Sequence, residues 1–190
     1  MALFDGTPKP KRWFPLNFEK FRGIPINAHP GAFGCARKYN FHEGIDLYGS
    51  TGDMVRAIRE GVVVSNARFT GASEGHPWWL ETDAVLIKDD EGYYVYGEIL
   101  SSLKKGDKIS VGDIIGKLVP VLPPEKHRPD IPAHSVTMLH LERWNLSYDE
   151  STGWSSWSTR NERPDYLEDP TLELVEILKS KKINPNFLTY

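Results

Sequence analysis

Short runs of β-branched and aromatic residues, separated by turn residues, form the main pattern of the chain. Residues 55–58 and 61–64 predict two strands with a break around Arg59. Residues 84–88 and 93–100 predict a hairpin, because the tetrapeptide between them is rich in turn residues. Short strands with frequent turns favour an antiparallel β core.

The remaining elements lie toward the C-terminus. Glycines spaced through residues 106–116 are suited to the tight corners between short strands. Residues 137–144 alternate between apolar and polar side chains and predict a further strand. Asp169 and Pro170 predict the start of one helix, with Asp169 as the N-cap and Pro170 at the first helical position.

Together these elements predict one mainly β domain over residues 1–190, which is long enough to bury a single core. We expect a compact antiparallel β-sheet or sandwich with long loops and a short C-terminal helix. Its parts are an irregular lead-in at 1–32, a β core at 33–144, an inserted loop at 145–168 and a helix at 169–182. A second inserted loop, at 70–82, carries Trp78 and Trp79.

The charge balance argues against a nucleic-acid partner. The chain has 23 Lys and Arg residues against 26 Asp and Glu residues, a net charge of -3, and therefore no overall field that would attract nucleic acid or an anionic membrane. One cysteine, Cys35, rules out an intrachain disulfide.

The chain shows no signal for export or membrane insertion. Its first residues lack a long apolar segment, and no apolar stretch of about 18 residues follows. The sequence as written therefore predicts a cytoplasmic protein, or a released or virion-associated one if it is phage-encoded. It predicts no membrane insertion.

Candidate metal ligands occur at two places that are far apart in the sequence. His42 and Asp46 are four residues apart, and His140 follows about a hundred residues later. A catalytic zinc site has three protein ligands and an open position for water, so these three residues could form one. His42 and Asp46 can share an ion only if the backbone bends between them, and Gly44 lies where that bend is needed.

Strand alternation predicts which side chains accompany His140. A period of two places Met138, His140, Glu142 and Trp144 on one face of their strand. By the same rule Tyr94, Tyr96 and Glu98 share a face of theirs, so Glu98 could project toward the metal. The alternative for Glu98 is an exposed strand carboxylate.

An ordered series of motifs resembles the M23 (LytM/lysostaphin-type) zinc metallopeptidases over about residues 33–173. The motifs are Phe33-Gly34, Phe41-His42-Glu43-Gly44-Ile45-Asp46, residues 52–63, Tyr96-Gly97-Glu98-Ile99, residues 106–116, Leu139-His140-Leu141-Glu142 and Asp169-Pro170.

The resemblance implies Zn²⁺ held by His42, Asp46 and His140, and hydrolysis of peptide bonds, usually in bacterial cell-wall peptides. The sequence also departs from the family at both histidines that serve catalysis without binding zinc. The His-x-His motif of the family has Met138 at its first position here, and the Tyr-x-His motif has Glu98 at its last.

Two replacements for the missing histidines are considered. Glu98 could act as a general base, or it could bind zinc as a fourth ligand and make the site structural. His134, in a Pro-rich segment before the last core strand, is the candidate donor to the oxyanion, with His127 and His76 as further candidates.

Two functions remain open from the sequence. The first is a zinc metallopeptidase with an altered catalytic set, acting on peptidoglycan cross-bridge or stem peptides. The second is a catalytically inactive zinc-binding domain with a degenerate active site, which binds a peptide or a protein partner as a scaffold.

Overall fold

A computed structural model describes residues 11–126, 136–151, 153 and 156–189. Within these residues the chain forms β-strands and one α-helix. In chain order they are β1 (Ile24–Pro25), β2 (Ile45–Tyr48), β3 (Met54–Arg56), β4 (Gly61–Thr70), β5 (Thr82–Lys88), β6 (Gly92–Leu100), β7 (Lys108–Ile109), β8 (Ile114–Leu118), β9 (Met138–Asn145), β10 (Leu167–Glu168), α1 (Thr171–Ser180) and β11 (Phe187–Leu188).

Nine of these strands form one antiparallel sheet, in which the order β10-β9-β6-β5-β4-β7 is the main path. β2 pairs with β9, and β8 pairs with both β3 and β6. The mainly β, antiparallel fold predicted from the sequence is therefore confirmed. β1 and β11 form a separate two-stranded parallel sheet that joins the two ends of the described chain.

The larger hydrophobic core lies on one face of the sheet and under the helix. Leu139 and Leu141 of β9 are fully buried there, beside Tyr94 and Tyr96 of β6. The residues that alternate with them face the other way, and Trp144 belongs to a second, smaller cluster with Leu167 and others. β9 is thus buried on both faces, which leaves its polar side chains in a protected setting.

The helix α1 closes the larger core and is anchored by a half-buried carboxylate, that of Glu173. Leu174, Ile177 and Leu178 are its buried residues. Glu173 accepts hydrogen bonds from Arg59, at 2.8 Å from Nη2, and from the Tyr94 hydroxyl. This contact fixes the first turn of the helix against the sheet.

The predicted helix start was wrong by one residue. The helix begins at Thr171, and Pro170 occupies the N-cap position instead of the first helical position. The Asp169 carboxylate still accepts a hydrogen bond from the Thr171 amide at 2.9 Å, so its side chain serves the helix start from one residue further out. The helix ends at Ser180, two residues before the predicted end.

Two segments predicted to be irregular contain short strands. β1 lies within the lead-in, where Ile24 pairs with Phe187. β10 lies at the end of the 145–168 loop. It forms there because Leu167 is buried and pairs with Trp144. The 70–82 connection is a loop with one short 3-10 helix at Ala72–Glu74.

No helix in the described parts of the chain is long and apolar enough to cross a lipid bilayer.

Candidate metal centre

Two neighbouring strands and the segment before them position the candidate ligands. Asp46 of β2 stands directly opposite His140 of β9 in the antiparallel register, so both side chains lie on the same face of the sheet. His42 precedes β2 and is held by two backbone hydrogen bonds, from its own amide to Cys35 and from the Gly34 amide to its carbonyl. The three residues are buried.

Three donor atoms of these residues form a nearly equilateral triangle. The His42 Nε2 lies 3.2 Å from the His140 Nδ1. The Asp46 Oδ1 lies 3.0 Å from the His140 Nδ1 and 3.1 Å from the His42 Nε2. Ligand atoms on a tetrahedral zinc ion are about 3.3 Å apart, because each bond is about 2.0 Å long. The cluster therefore has the size and the donor types of a zinc site, and its residues could hold a metal ion.

The remaining ring nitrogens of the two histidines have partners that fix the ring orientation. The His42 Nδ1–H donates to the carbonyl oxygen of Ala32 at 2.9 Å. The His140 Nε2–H donates to the Glu142 carboxylate at 2.8 Å, and the Trp144 indole N–H donates to the same carboxylate at 2.7 Å. Since carbonyl and carboxylate oxygens only accept, the protons are directed away from the cluster and the other ring nitrogens offer their lone pairs to it.

Gly44 allows the close approach between the two halves of the cluster. A Cβ atom at this position would lie 2.5 Å from the Leu141 carbonyl oxygen and 2.9 Å from the His140 ring. Gly44 was predicted to permit a bend. In the structure it is required because it leaves space for His140.

The electrostatics of the cluster favour a bound cation. Burial by itself would raise the pKa of Asp46, but the charge of His42 and hydrogen bonds with both imidazoles outweigh it and hold this pKa well below its ordinary value. Burial opposes a charge on His140, yet hydrogen bonds to Asp46 and Glu142 raise its pKa well above the usual value. The carboxylates that attract a proton to this site also attract a divalent cation.

Glu98 lies beside the cluster because β6 contains a β-bulge. Val85 of β5 pairs with Tyr96, whereas Asp83 pairs with Ile99, so β6 contains one extra residue. Glu98 has a φ of 61°, and at this point the partner of β6 changes from β9 to β8. The predicted face shared by Tyr94, Tyr96 and Glu98 is wrong, because the bulge returns Ile99 to the core.

Glu98 is a half-buried residue whose carboxyl group lies near the charge of Asp46. Its Oε2 atom is buried and has no hydrogen-bond partner among the described residues. Burial first, and then the charge of Asp46, raise the pKa of Glu98 to about 8, although His140 and Arg37 oppose the shift. The group of donor atoms within 4.8 Å of one another comprises His42, Asp46 and His140 and does not include Glu98.

Sequence reasoning missed several neighbours of the cluster. Arg37 places its Nη2 3.5 Å from the Asp46 Oδ2, and the ring centre of Phe69 lies 5.5 Å from that of His140. The Phe69 ring has room to pack there because residue 97 is a glycine, since a Cβ at this position would lie 2.7 Å from the ring. Glu142 was placed on the correct face of β9, but its bond to His140 was not foreseen. Motif spacing carries no signal for Arg37 or Phe69, since both reach the cluster through the fold.

Of the three candidate replacement histidines, His76 is the one that lies within the described residues. His134 and His127 lie outside the described residues. His76 lies in the loop after β4, where its ring stacks on Trp79 at 5.1 Å and meets Trp78 at 6.1 Å.

Solved structures with a similar fold include a staphylococcal peptidase and an M23 protein. The antimicrobial peptidase lysostaphin from Staphylococcus simulans is 20% identical with a TM-score of 0.45, and the alignment covers 72% of this chain and 45% of lysostaphin. A catalytic-domain mutant of the prophage-encoded M23 protein EnpA from Enterococcus faecalis is 22% identical, with a TM-score of 0.44 and coverages of 68% and 85%. This chain therefore spans less than half the length of the lysostaphin chain.

A chain of the SpoIIQ–SpoIIIAH pore-forming complex is 18% identical, with a TM-score of 0.49 and coverages of 79% of this chain and 88% of that one. None of the curated proteins compared with the sequence matches it significantly. The family model described as Peptidase family M23 matches residues 40–122, which include His42, Asp46 and Glu98 and end before His140. Residues 40–122 therefore match the model of Peptidase family M23, and the family predicted from the motifs is confirmed over this segment.

Proposed function

We propose that the chain is a zinc-dependent peptide hydrolase of the M23 type, with His42, Asp46 and His140 as the zinc ligands. The observation that carries this proposal is the triangle of three donor atoms, each about 3 Å from the others, with both histidine rings oriented by buried partners. The family match over residues 40–122 supports the assignment of peptide bonds as substrate.

A zinc ion bound here would polarise the scissile carbonyl and lower the pKa of water at an open coordination position. His42 and His140 would supply neutral ring nitrogens, and Asp46 would supply one carboxylate oxygen. The second oxygen of Asp46 would remain with Arg37, which lies 3.5 Å away. Ala32 and Glu142 would hold the ring protons away from the ion.

Glu98 is proposed as the general base. Its buried oxygen has no partner among the described residues and is therefore available to a water molecule or a substrate. The ionised carboxylate accepts a proton from the attacking water while the water oxygen bonds to the scissile carbonyl carbon. That proton then passes to the leaving nitrogen as the C–N bond breaks, so one peptide bond and one water give a carboxylic acid and an amine.

The base assignment is preferred to a fourth-ligand assignment for Glu98. The donor cluster within 4.8 Å does not include Glu98, whereas the three other residues already meet that distance. The charges of Asp46 and His140 both act on the pKa of Glu98, which supports a role for this carboxyl group beside the cluster.

We propose peptidoglycan cross-bridge or stem peptides as the substrate class, because the chain contains an M23 segment. Lysostaphin, a structure similar to this chain, is described as an antimicrobial peptidase, and the assignment extends that chemistry to this chain.

A second candidate function is that of a zinc-binding scaffold without turnover. One observation favours it: Met138 pairs with Tyr48 on the face that carries Asp46 and His140, and a thioether there can donate no proton. In this alternative the same metal site stabilises the domain, and the surface around it binds a peptide or a protein partner.

Cleavage assays with Glu98 variants distinguish the two functions. Zinc-loaded wild-type protein should release free amines from purified peptidoglycan or oligoglycine peptides. Glu98→Gln should retain zinc and lose at least about a hundredfold in rate, because a general base contributes on the order of 10²–10⁴. Glu91→Gln, which alters an exposed carboxylate bound to Arg59, is the matched control and should cleave as the wild type does.

Equal absence of cleavage in wild-type and Glu98→Gln protein across these substrates would contradict the hydrolase and favour the scaffold. Loss of zinc in Glu98→Gln, with the fold intact, would instead identify Glu98 as a ligand.

A further inference from the structure

Arg37 is a cation at the exposed edge of the metal cluster. It lies in a short turn closed by the bridge between Ala36 and Phe41 and by a hydrogen bond from its own amide to Asn40. The turn leads directly to His42, which is itself bonded to Cys35. The position of Arg37 is thus fixed by the same backbone that positions a ligand, although its side chain is 41% exposed.

The contacts of the guanidinium leave most of its hydrogen-bond capacity unused. Its Nη2 lies 3.5 Å from the Asp46 Oδ2 and 3.3 Å from the Pro30 carbonyl oxygen. A guanidinium has five N–H donors, and within the described residues only the Nη2 group has these contacts. A planar, permanently charged donor with free N–H groups is suited to binding an anionic oxygen.

The outward ring N–H donors of His42, His140 and Trp144 are already engaged. The His42 Nδ1–H donates to Ala32, and the His140 Nε2–H and the Trp144 indole both donate to Glu142. Met138, which stands in the next register position on the same face as His140, has no donor. Arg37 is therefore a permanently charged donor beside Asp46 whose N–H groups can stabilise negative charge at the edge of the cluster.

We propose that Arg37 is the anion-binding group of this site and that its guanidinium donates to the negatively charged oxygen that forms on the scissile carbonyl. This catalytic role of Arg37 rests on the proposed hydrolysis, whereas the capacity of Arg37 to bind an anion does not. Arg37 would thus supply the stabilisation for which His134 is the candidate in the sequence. Donors of this kind act best when they are fixed before the reaction, as the turn fixes Arg37.

Inorganic phosphate tests the proposal without depending on peptide specificity. Phosphate is titrated calorimetrically into zinc-loaded full-length protein that has been dialysed free of excess metal, at low ionic strength. We expect Arg37→Met to weaken phosphate binding at least about tenfold, because a hydrogen bond to a charged group contributes on this scale. Arg37→Lys should fall between Arg37→Met and the wild type, since it keeps the charge and loses the planar fork.

Lys38→Met is the matched control. It removes the same charge from the adjacent exposed residue, whose ammonium lies over the Tyr39 ring and not beside Asp46. We expect it to change phosphate affinity by less than about twofold, and zinc content to be unchanged in all three variants.

Three results would overturn the proposal: no phosphate binding by the wild type, an equal loss in Arg37→Met and Lys38→Met, or loss of zinc in Arg37→Met. The last would make Arg37 a positioning residue for Asp46. A wild type that binds phosphate through Arg37 and cleaves no peptide would keep the anion site and contradict the proposed hydrolysis, so the two failures are distinguishable.

Discussion

Replacement of Glu142 by glutamine tests the hydrogen bonds that orient His140. The Glu142 carboxylate is only 2% exposed and accepts from both the His140 Nε2–H and the Trp144 indole N–H. A glutamine has the same shape but one oxygen and one amino group. If its oxygen faces Trp144, its amino group faces the Nε2 of His140 and favours the tautomer with the proton on Nδ1, which cannot bind a metal.

If the amide is turned the other way, its amino group faces the Trp144 N–H and a buried donor is left unsatisfied. Such a donor costs about 1–3 kcal/mol. Both orientations therefore weaken metal binding or the fold that supports it. Loss of a partner behind a ligating histidine typically lowers metal affinity about 10–100-fold, which corresponds to about 1.4–2.8 kcal/mol.

The assay is competition for zinc against a chromogenic chelator of known affinity, with circular dichroism to verify folding. Glu173→Gln is the control, because it makes the same chemical change at a carboxylate that contacts Arg59 and Tyr94 and not the cluster. We expect its zinc affinity to equal that of the wild type. A folded Glu142→Gln protein whose zinc affinity is within twofold of the wild type would refute the role of Glu142.

Three further predictions follow from the geometry of the site and the core. Gly44→Ala should lower zinc affinity or melting temperature in a chelator titration and a thermal scan, because its Cβ would lie 2.5 Å from the Leu141 carbonyl oxygen. Glu98→Gln should stabilise the metal-free protein at pH 7 by up to about 3 kcal/mol in urea unfolding and have no effect at pH 4. The Glu98 carboxyl keeps its proton in the folded protein up to its pKa of about 8, whereas in the unfolded chain it ionises above its ordinary pKa of 4.5. The wild type therefore loses stability as the pH rises from 4.5 to 8, and the glutamine variant does not. Leu174→Ala should destabilise the fold by about 2–5 kcal/mol in the same assay, because this side chain of the helix is 1% exposed.

The sequence was sufficient for the longer core strands and for the candidate ligands, because alternation and motif spacing are local signals, whereas the short strands β1 and β10 were missed. Alternation along β9 places His140 and Glu142 on one face and Leu139 on the other, and the structure agrees. Gly44, between His42 and Asp46, leaves space for the His140 ring.

The surroundings of the ligands could not be predicted in the same way. Glu98 reaches the cluster because β6 contains one extra residue and changes partner there, and a period of two cannot reveal a bulge. Arg37 meets Asp46 through a turn that folds back over the strand, so sequence distance carries no information about this contact. The helix start differed by a short step because an aspartate can bond the first turn from outside the helix.

We propose that His42, Asp46 and His140 together hold one metal ion. Metal analysis of purified, zinc-loaded and dialysed protein tests it most directly, with His76→Ala as the control for loss of a histidine outside the cluster. We predict about one zinc ion per chain in the wild type and in His76→Ala, and none in His42→Ala or His140→Ala. A folded wild type without zinc, or a His140→Ala protein that retains it, would contradict the account.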